Sequence, residues 1–163
     1  MKVIDNFLSE EECDFLIQYY KKHPFKESYK RTFLLRMKDT SLFHLKKSLI
    51  RYRYLKRIEK EFSLKLCFDQ IVFWPPFSYK PMHKDGYALK EKDPVAASVD
   101  WTSVCYLNDD YEGGETMIES DLIKPKKGRL VVFPSKKMSH GVSLVKRIPR
   151  YTYIAWWQEG LYK

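Results

Sequence analysis

Along the first third of the chain apolar residues recur every three or four positions, and beyond residue 65 they recur every two. The first spacing puts apolar side chains on one stripe of a helix, the second on one face of a strand. After a short apolar-rich stretch at residues 3–8, Ser9-Glu10-Glu11-Glu12 forms a capping box. In it the Ser9 hydroxyl accepts from the third backbone N–H and Glu12 reaches back. A helix is expected there, burying Cys13, Leu16, Ile17 and Tyr20 and ending at Pro24. Residues 32–37 read as an edge strand. Asp39-Thr40-Ser41 offers N-caps for a longer helix, with Leu42, Leu45, Leu49, Tyr52, Leu55, Ile58 and Phe62 as its buried stripe. Lys46, Lys47, Arg51, Arg53, Lys56, Arg57 and Lys60 then fall on its outer faces.

The period-two region breaks into strands at about 66–74, 97–108, 115–118, 129–134, 142–145 and 150–157, separated by turn residues. Helices first and antiparallel strands afterwards predict an α+β protein, a β-sandwich of jelly-roll type with the N-terminal helices packed on one sheet. The expected organisation is one domain over 1–163, helical over about 9–62 and β over about 65–158. Twelve Tyr, ten Phe and four Trp agree with the β-rich reading, because aromatic rings suit half-buried pleated surfaces. No apolar run is long enough for a membrane span, and the first residues lack a signal peptide's hydrophobic region, so a soluble, cytoplasmic protein is expected. Cys13, Cys67 and Cys105 are odd in number and set among apolar residues, which predicts buried free thiols.

The net charge of +9 is unevenly spread: residues 21–65 hold fifteen Lys/Arg against four Asp/Glu. Such a block can meet an acidic partner such as nucleic acid. No nucleic-acid motif accompanies it, so a solvated outer helix face is the preferred reading.

The candidate chemistry lies in Tyr79-Lys-Pro-Met-His-Lys-Asp-Gly-Tyr87. On an extended backbone His83 and Asp85 point to the same side, so an imidazole and a carboxylate converge on one ion. His140, after a strand-like Gly-Arg-Leu-Val-Val-Phe-Pro, supplies a third ligand. Two His and one carboxylate on one face are the donor set of non-haem Fe(II) oxygenases, leaving positions for a chelating 2-oxo acid and O2. The segment at 86–95 is placed to cover such an ion, although an ordinary solvated connection has the same composition. Phe77, Tyr87 and Trp101 are either an aromatic substrate wall or plain core.

Read in order, His83-x-Asp85, Gly113-Gly114-Glu115-Thr116, His140 and Arg150-Tyr151 resemble the prolyl 4-hydroxylase-like branch of the Fe(II)- and 2-oxoglutarate-dependent dioxygenases. Residues 3–13 are similar to that family's amino-terminal helix entry. The resemblance spans nearly the whole chain. It implies a double-stranded β-helix that binds Fe(II) through His83, Asp85 and His140. It also implies coupling of 2-oxoglutarate decarboxylation to hydroxylation of a C–H bond by O2, with ascorbate supportive. Arg150 falls where the family's basic co-substrate residue lies, and a guanidinium grips a carboxylate with two parallel hydrogen bonds. Tyr106 matches a family tyrosine on the same carboxylate, and Thr102 shares its strand face. Trp74 departs from the family's usual tyrosine, which leaves Tyr79 to take over that hydrogen bond.

Asp85 is the carboxylate that related halogenases lack, which points to hydroxylation. The additional Arg and Asn of the nucleic-acid demethylase branch are missing beyond His140. A peptide or protein substrate, peptidyl proline first, is therefore the leading expectation. The alternatives are a non-catalytic binding protein on the same fold, or a dioxygenase acting on a free amino acid, a small molecule or nucleic acid.

Overall fold

A computed structural model describes residues 1–23, 26–37, 45–87 and 92–160. The strands are β1 (Lys2–Ile4), β2 (Glu27–Tyr29), β3 (Thr32–Arg36), β4 (Leu64–Trp74), β5 (Lys80–His83), β6 (Trp101–Tyr106), β7 (Glu112–Gly113), β8 (Thr116–Ile118), β9 (Asp121–Ile123), β10 (Leu130–Phe133), β11 (His140–Val142), β12 (Val145–Lys146) and β13 (Arg150–Glu159). The helices are α1 (Glu10–Lys22), α2 (Leu45–Phe62) and the short α3 (Pro94–Ala97). One sheet has the order β1-β10-β6-β13-β4-β3-β2, a second β5-β11-β8-β9, and β12 pairs with β7. This is the double-stranded β-helix expected from the sequence.

Alternation along β13 shows how one strand serves two layers. Tyr151, Tyr153, Ala155 and Trp157 join Cys13, Leu16, Tyr20, Ile50, Tyr54 and Ile58 in a core between the large sheet and the helices. Ile154, with Trp156 beside it, faces the other way and packs with Val104, Phe133, Ile118 and Val142 between the two sheets. Full burial of each large apolar side chain contributes about 1.5–3 kcal/mol. Arg150 lies on this second face, so the polar site grows out of the inter-sheet core.

Helix α1 follows the sequence closely. Glu12 N–H donates to Ser9 Oγ at 3.2 Å and Ser9 N–H to Glu12 Oε2 at 2.9 Å, completing the capping box, and the four named residues are buried. The expected stop at Pro24 and the N-caps at 39–41 lie outside the described residues.

Helix α2 corrects the expected stripe. Leu45, Leu49 and Tyr52 are exposed, while Lys47, Ile50, Tyr54, Leu55 and Ile58 are buried. The helix is rotated so that Tyr54 meets Phe7 edge-on at 5.3 Å and Tyr153 at 4.3 Å, and Arg51 reaches Asp69 of β4 at 2.7 and 2.8 Å. Lys47 and Arg51 were expected on the outside, but Lys47 Nζ donates inward to the Met37 carbonyl at 3.3 Å.

Three strand expectations also change. β3 is an inner strand, because β2 pairs on its far side. The stretch at 97–100 is the end of α3 and a turn, since Asp93 caps that helix through Ala96 N–H at 2.9 Å. Residues 142–145 split between β11 and β12. Cys13 and Cys105 are buried free thiols and Cys67 is half-buried; burial pushes the Cys13 thiol up to about 12. No helix among the described residues is long and apolar enough to cross a membrane.

Candidate active site

Strand pairing brings the distant histidines together. β11 runs antiparallel to β5 with His140 opposite His83, and Asp85 follows directly after β5, where its N–H donates to the Ser135 carbonyl at 3.0 Å. One donor atom from each of His83, Asp85 and His140 lies within 4.8 Å of the others. His83 Nε2 is 3.6 Å from Asp85 Oδ1, and His140 Nε2 is 3.5 Å from Asp85 Oδ2.

The far nitrogen of each ring fixes its tautomer. His83 Nδ1 is 2.9 Å from the Pro81 carbonyl and His140 Nδ1 is 3.2 Å from the Met138 carbonyl. A carbonyl oxygen only accepts, so Nδ1 carries the proton and the Nε2 lone pair faces the carboxylate. Burial lowers the His140 pKa below the usual 6.5 although Asp85 pulls it up, which favours the neutral ligand form. Thr102 Oγ donates to Asp85 Oδ2 at 2.8 Å; its proton being thus used, Ser135 donates in the 2.8 Å contact between the two hydroxyls. Two imidazoles that turn Nε2 toward an oriented carboxylate suit Fe(II).

Behind this cluster a cavity of about 1020 Å³ runs between the sheets to Arg150. Arg150 is 1 % exposed, and its Nε and Nη1 have no hydrogen-bond partner among the described residues. Its Cζ lies 4.9 Å from the Trp74 ring and 5.3 Å from the Tyr106 ring, and Nη2 donates to Thr116 Oγ at 3.2 Å. A buried guanidinium with free N–H groups is costly unless an anion meets it. The chemistry of this end therefore fits a carboxylate, and with the His83-Asp85-His140 cluster at the other end the cavity fits a 2-oxo diacid.

Gly114, at φ +62°, lets the chain pass close behind Arg150. A Cβ there would lie 2.8 Å from Tyr111 Cε2 and 3.1 Å from Arg150 Cδ.

Thr116, passed over in the sequence as part of a hairpin motif, is the polar centre of this end. Its Oγ accepts from Arg150 and lies 2.6 Å from Tyr106 Oη. The Tyr106 proton has a second acceptor, the Ile123 carbonyl at 3.1 Å. When that proton goes to Thr116, the threonine's own proton is free for an acceptor in the cavity. The signal for Thr116 was its register opposite β11, which no local pattern displays.

The other candidates separate. Thr102 serves Asp85 rather than the Arg150 end. Trp74 donates its Nε1–H to Thr152 Oγ at 3.2 Å. Tyr79 is 40 % exposed and lines the cavity, with Arg31 Cζ 4.3 Å from its ring centroid. Tyr87 lines the mouth, Phe77 is exposed outside the cavity, and Trp101 packs on the helix-side core. Of the segment at 86–95, residues 88–91 lie outside the described residues.

Residues 70–158, more than half of the chain, match the family model described as 2OG-Fe(II) oxygenase superfamily. Prolyl 3-hydroxylase 2 of Rattus norvegicus is 36 % identical over 91 residues, covering 47 % of this chain and 13 % of that protein. Among solved structures, a prolyl-4-hydroxylase of Pseudomonas putida superposes with a TM-score of 0.73 at 18 % identity, covering 97 % of this chain and 91 % of that one. A viral collagen prolyl hydroxylase from Paramecium Bursaria Chlorella virus-1, solved with 2OG, gives 0.70 at 24 % identity, covering 96 % and 94 %.

Proposed function

The chain belongs to the 2OG-Fe(II) oxygenase superfamily, and on that premise we propose that it hydroxylates peptidyl proline, with 2-oxoglutarate as co-substrate. The observation that carries this reading is one cavity with a His-Asp-His cluster at its mouth and, at its end, a buried guanidinium whose Nε and Nη1 lack hydrogen-bond partners among the described residues. When bound, Fe(II) supplies the chemistry that turns O2, 2-oxoglutarate and a C–H bond into CO2, succinate and an alcohol.

The protein's own residues do the rest. His83, Asp85 and His140 would hold the metal, with Thr102 and Ser135 fixing the carboxylate. Arg150 grips the distal carboxylate of 2-oxoglutarate, and Thr116 donates a further hydrogen bond, its proton released by Tyr106. Trp74, Val104 and Ile154 line the cavity between the two ends and exclude water. The peptide substrate is supported by the prolyl hydroxylases among the relatives. We read the chain as one catalytic domain. Free thiols at Cys13, Cys67 and Cys105 fit a reducing, cytoplasmic setting.

The test uses purified protein with Fe(II), ascorbate, 2-oxoglutarate and a library of proline-containing peptides. Succinate release and a gain of one oxygen on proline are expected, and Asp85→Ala is expected to lose both. Oxygen added to a nucleobase or free amino acid instead would replace the peptidyl reading. Fe(II)-dependent 2-oxoglutarate binding without any turnover would favour a binding protein.

A further inference from the structure

Unpaired cations gather at the mouth of the cavity. Other cations are paired with carboxylates: Arg129 and Lys126 with Asp5, Lys127 with Asp14, Lys136 with Asp100, Arg147 with Glu112 and, on the cavity wall, Arg36 with Glu27. At the mouth stand Lys30, Arg31, Lys80 and Lys84, and among the described residues none of the four has an ion-pair partner. Lys80 is pressed between burial and the like charge of Lys30, which together lower its pKa, and the attraction of Asp85 does not offset them.

These cations are held in place. Lys80 Nζ lies 5.4 Å and Lys30 Nζ 5.5 Å from the centroid of Tyr29, and Arg31 Cζ lies 4.3 Å from that of Tyr79. The β2–β3 turn is thereby laid against β5 and brings charges from two sheets to one lip. Like charges gathered beside a cleft, with few opposing carboxylates, focus an attractive field on an anion.

We propose that the polypeptide substrate is acidic, with carboxylate side chains flanking the hydroxylated residue held by Lys30, Arg31 and Lys80. This rests on the peptidyl hydroxylase reading. Nucleic acid fits less well for two reasons. The Tyr29 and Tyr79 rings already carry cations, so they are poor platforms for stacking bases. On the basic helix α2 three cations are already engaged, Arg51 with Asp69, Arg53 with Glu12 and Lys56 with Glu59, which interrupts a run of charge that could follow phosphates.

The test measures binding and product on the same peptides. Protein loaded with Mn(II) and a non-reactive 2-oxoglutarate analogue is titrated with a labelled peptide carrying Glu on both sides of a proline, its Gln counterpart, and a single-stranded oligonucleotide. Binding of the Glu peptide at least tenfold tighter than the Gln peptide, weakening with salt, is expected. The double variant Lys30→Gln/Lys80→Gln should remove most of that preference, while Lys60→Gln, on α2 outside the cavity, should keep it. Equal binding of the two peptides, or preference for the oligonucleotide lost in the same double variant, would overturn the proposal. Hydroxylation is scored separately with Fe(II) and 2-oxoglutarate. A tightly bound Glu peptide that gains no oxygen would sink the hydroxylase reading and leave the acidic docking site standing.

Discussion

Thr116 carries the finest distinction at the scale of single residues, because its role turns on one proton. Thr116→Val removes a buried hydroxyl that meets both Arg150 and Tyr106, and leaving such groups unmatched costs about 1–3 kcal/mol. The expected result is a loss of about tenfold or more in 2-oxoglutarate affinity, with metal affinity unchanged and Thr116→Ser close to wild type; calorimetric titration of each ligand reads it. Thr102→Val should do the reverse and weaken the metal first, because its hydroxyl serves Asp85. That His83, Asp85, His140 and Arg150 converge on one cavity was legible because their chemistry is tied to residue type: few side chains suit Fe(II), and few suit a carboxylate. The contacts of Thr102 and Thr116 were less so. A hydroxyl on a strand face contacts whatever the neighbouring strand presents, and that is set by pairing between β6, β8, β11 and β13.

Among the elements, α2 shows what periodicity leaves open. Its sequence carries two overlapping apolar stripes, one through Leu45, Leu49 and Tyr52, the other through Ile50, Tyr54 and Ile58. Spacing alone favours neither, and the choice falls to partners distant in sequence, the Phe7 and Tyr153 rings and the Asp69 carboxylate. Ile50→Ala is expected to cost about 2–5 kcal/mol, whereas Leu49→Ala should stay within about 0.5 kcal/mol; urea unfolding of both variants checks the rotation. In α1 the single stripe and the capping box agree, so its sequence was sufficient. The short strands β2, β7 and β9 escaped notice because two or three residues hold too little alternation to register.

For the whole molecule, long-range ion pairs tie the amino-terminal segment to the sheet. Asp5 pairs with Arg129 at 2.7 Å and with Lys126 at 2.8 Å, and these hydrogen bonds hold its carboxyl well below the ordinary 3.8. A depressed folded pKa gives stability that is full above the unfolded value and is lost as pH falls through the folded one. Asp5→Asn should therefore lower the Tm at pH 7, and its difference from wild type should shrink below about pH 4. A constant difference across that range would mean that the carboxylate charge is not what ties the segment down. The fold class could be read from pattern, whereas the sheet order could not, since β1 pairs with β10 and β13 lies between β4 and β6.

The central claim is that one cavity binds a ferrous ion at its mouth and a diacid at its end. Anaerobic calorimetry of 2-oxoglutarate binding, with and without Fe(II), tests it in wild type, His140→Ala and Arg150→Ala. The account predicts metal-dependent binding in wild type, loss of the metal dependence in His140→Ala, and affinity weakened at least tenfold in Arg150→Ala with metal binding intact. Equal 2-oxoglutarate affinity in all three proteins, with or without Fe(II), would contradict it.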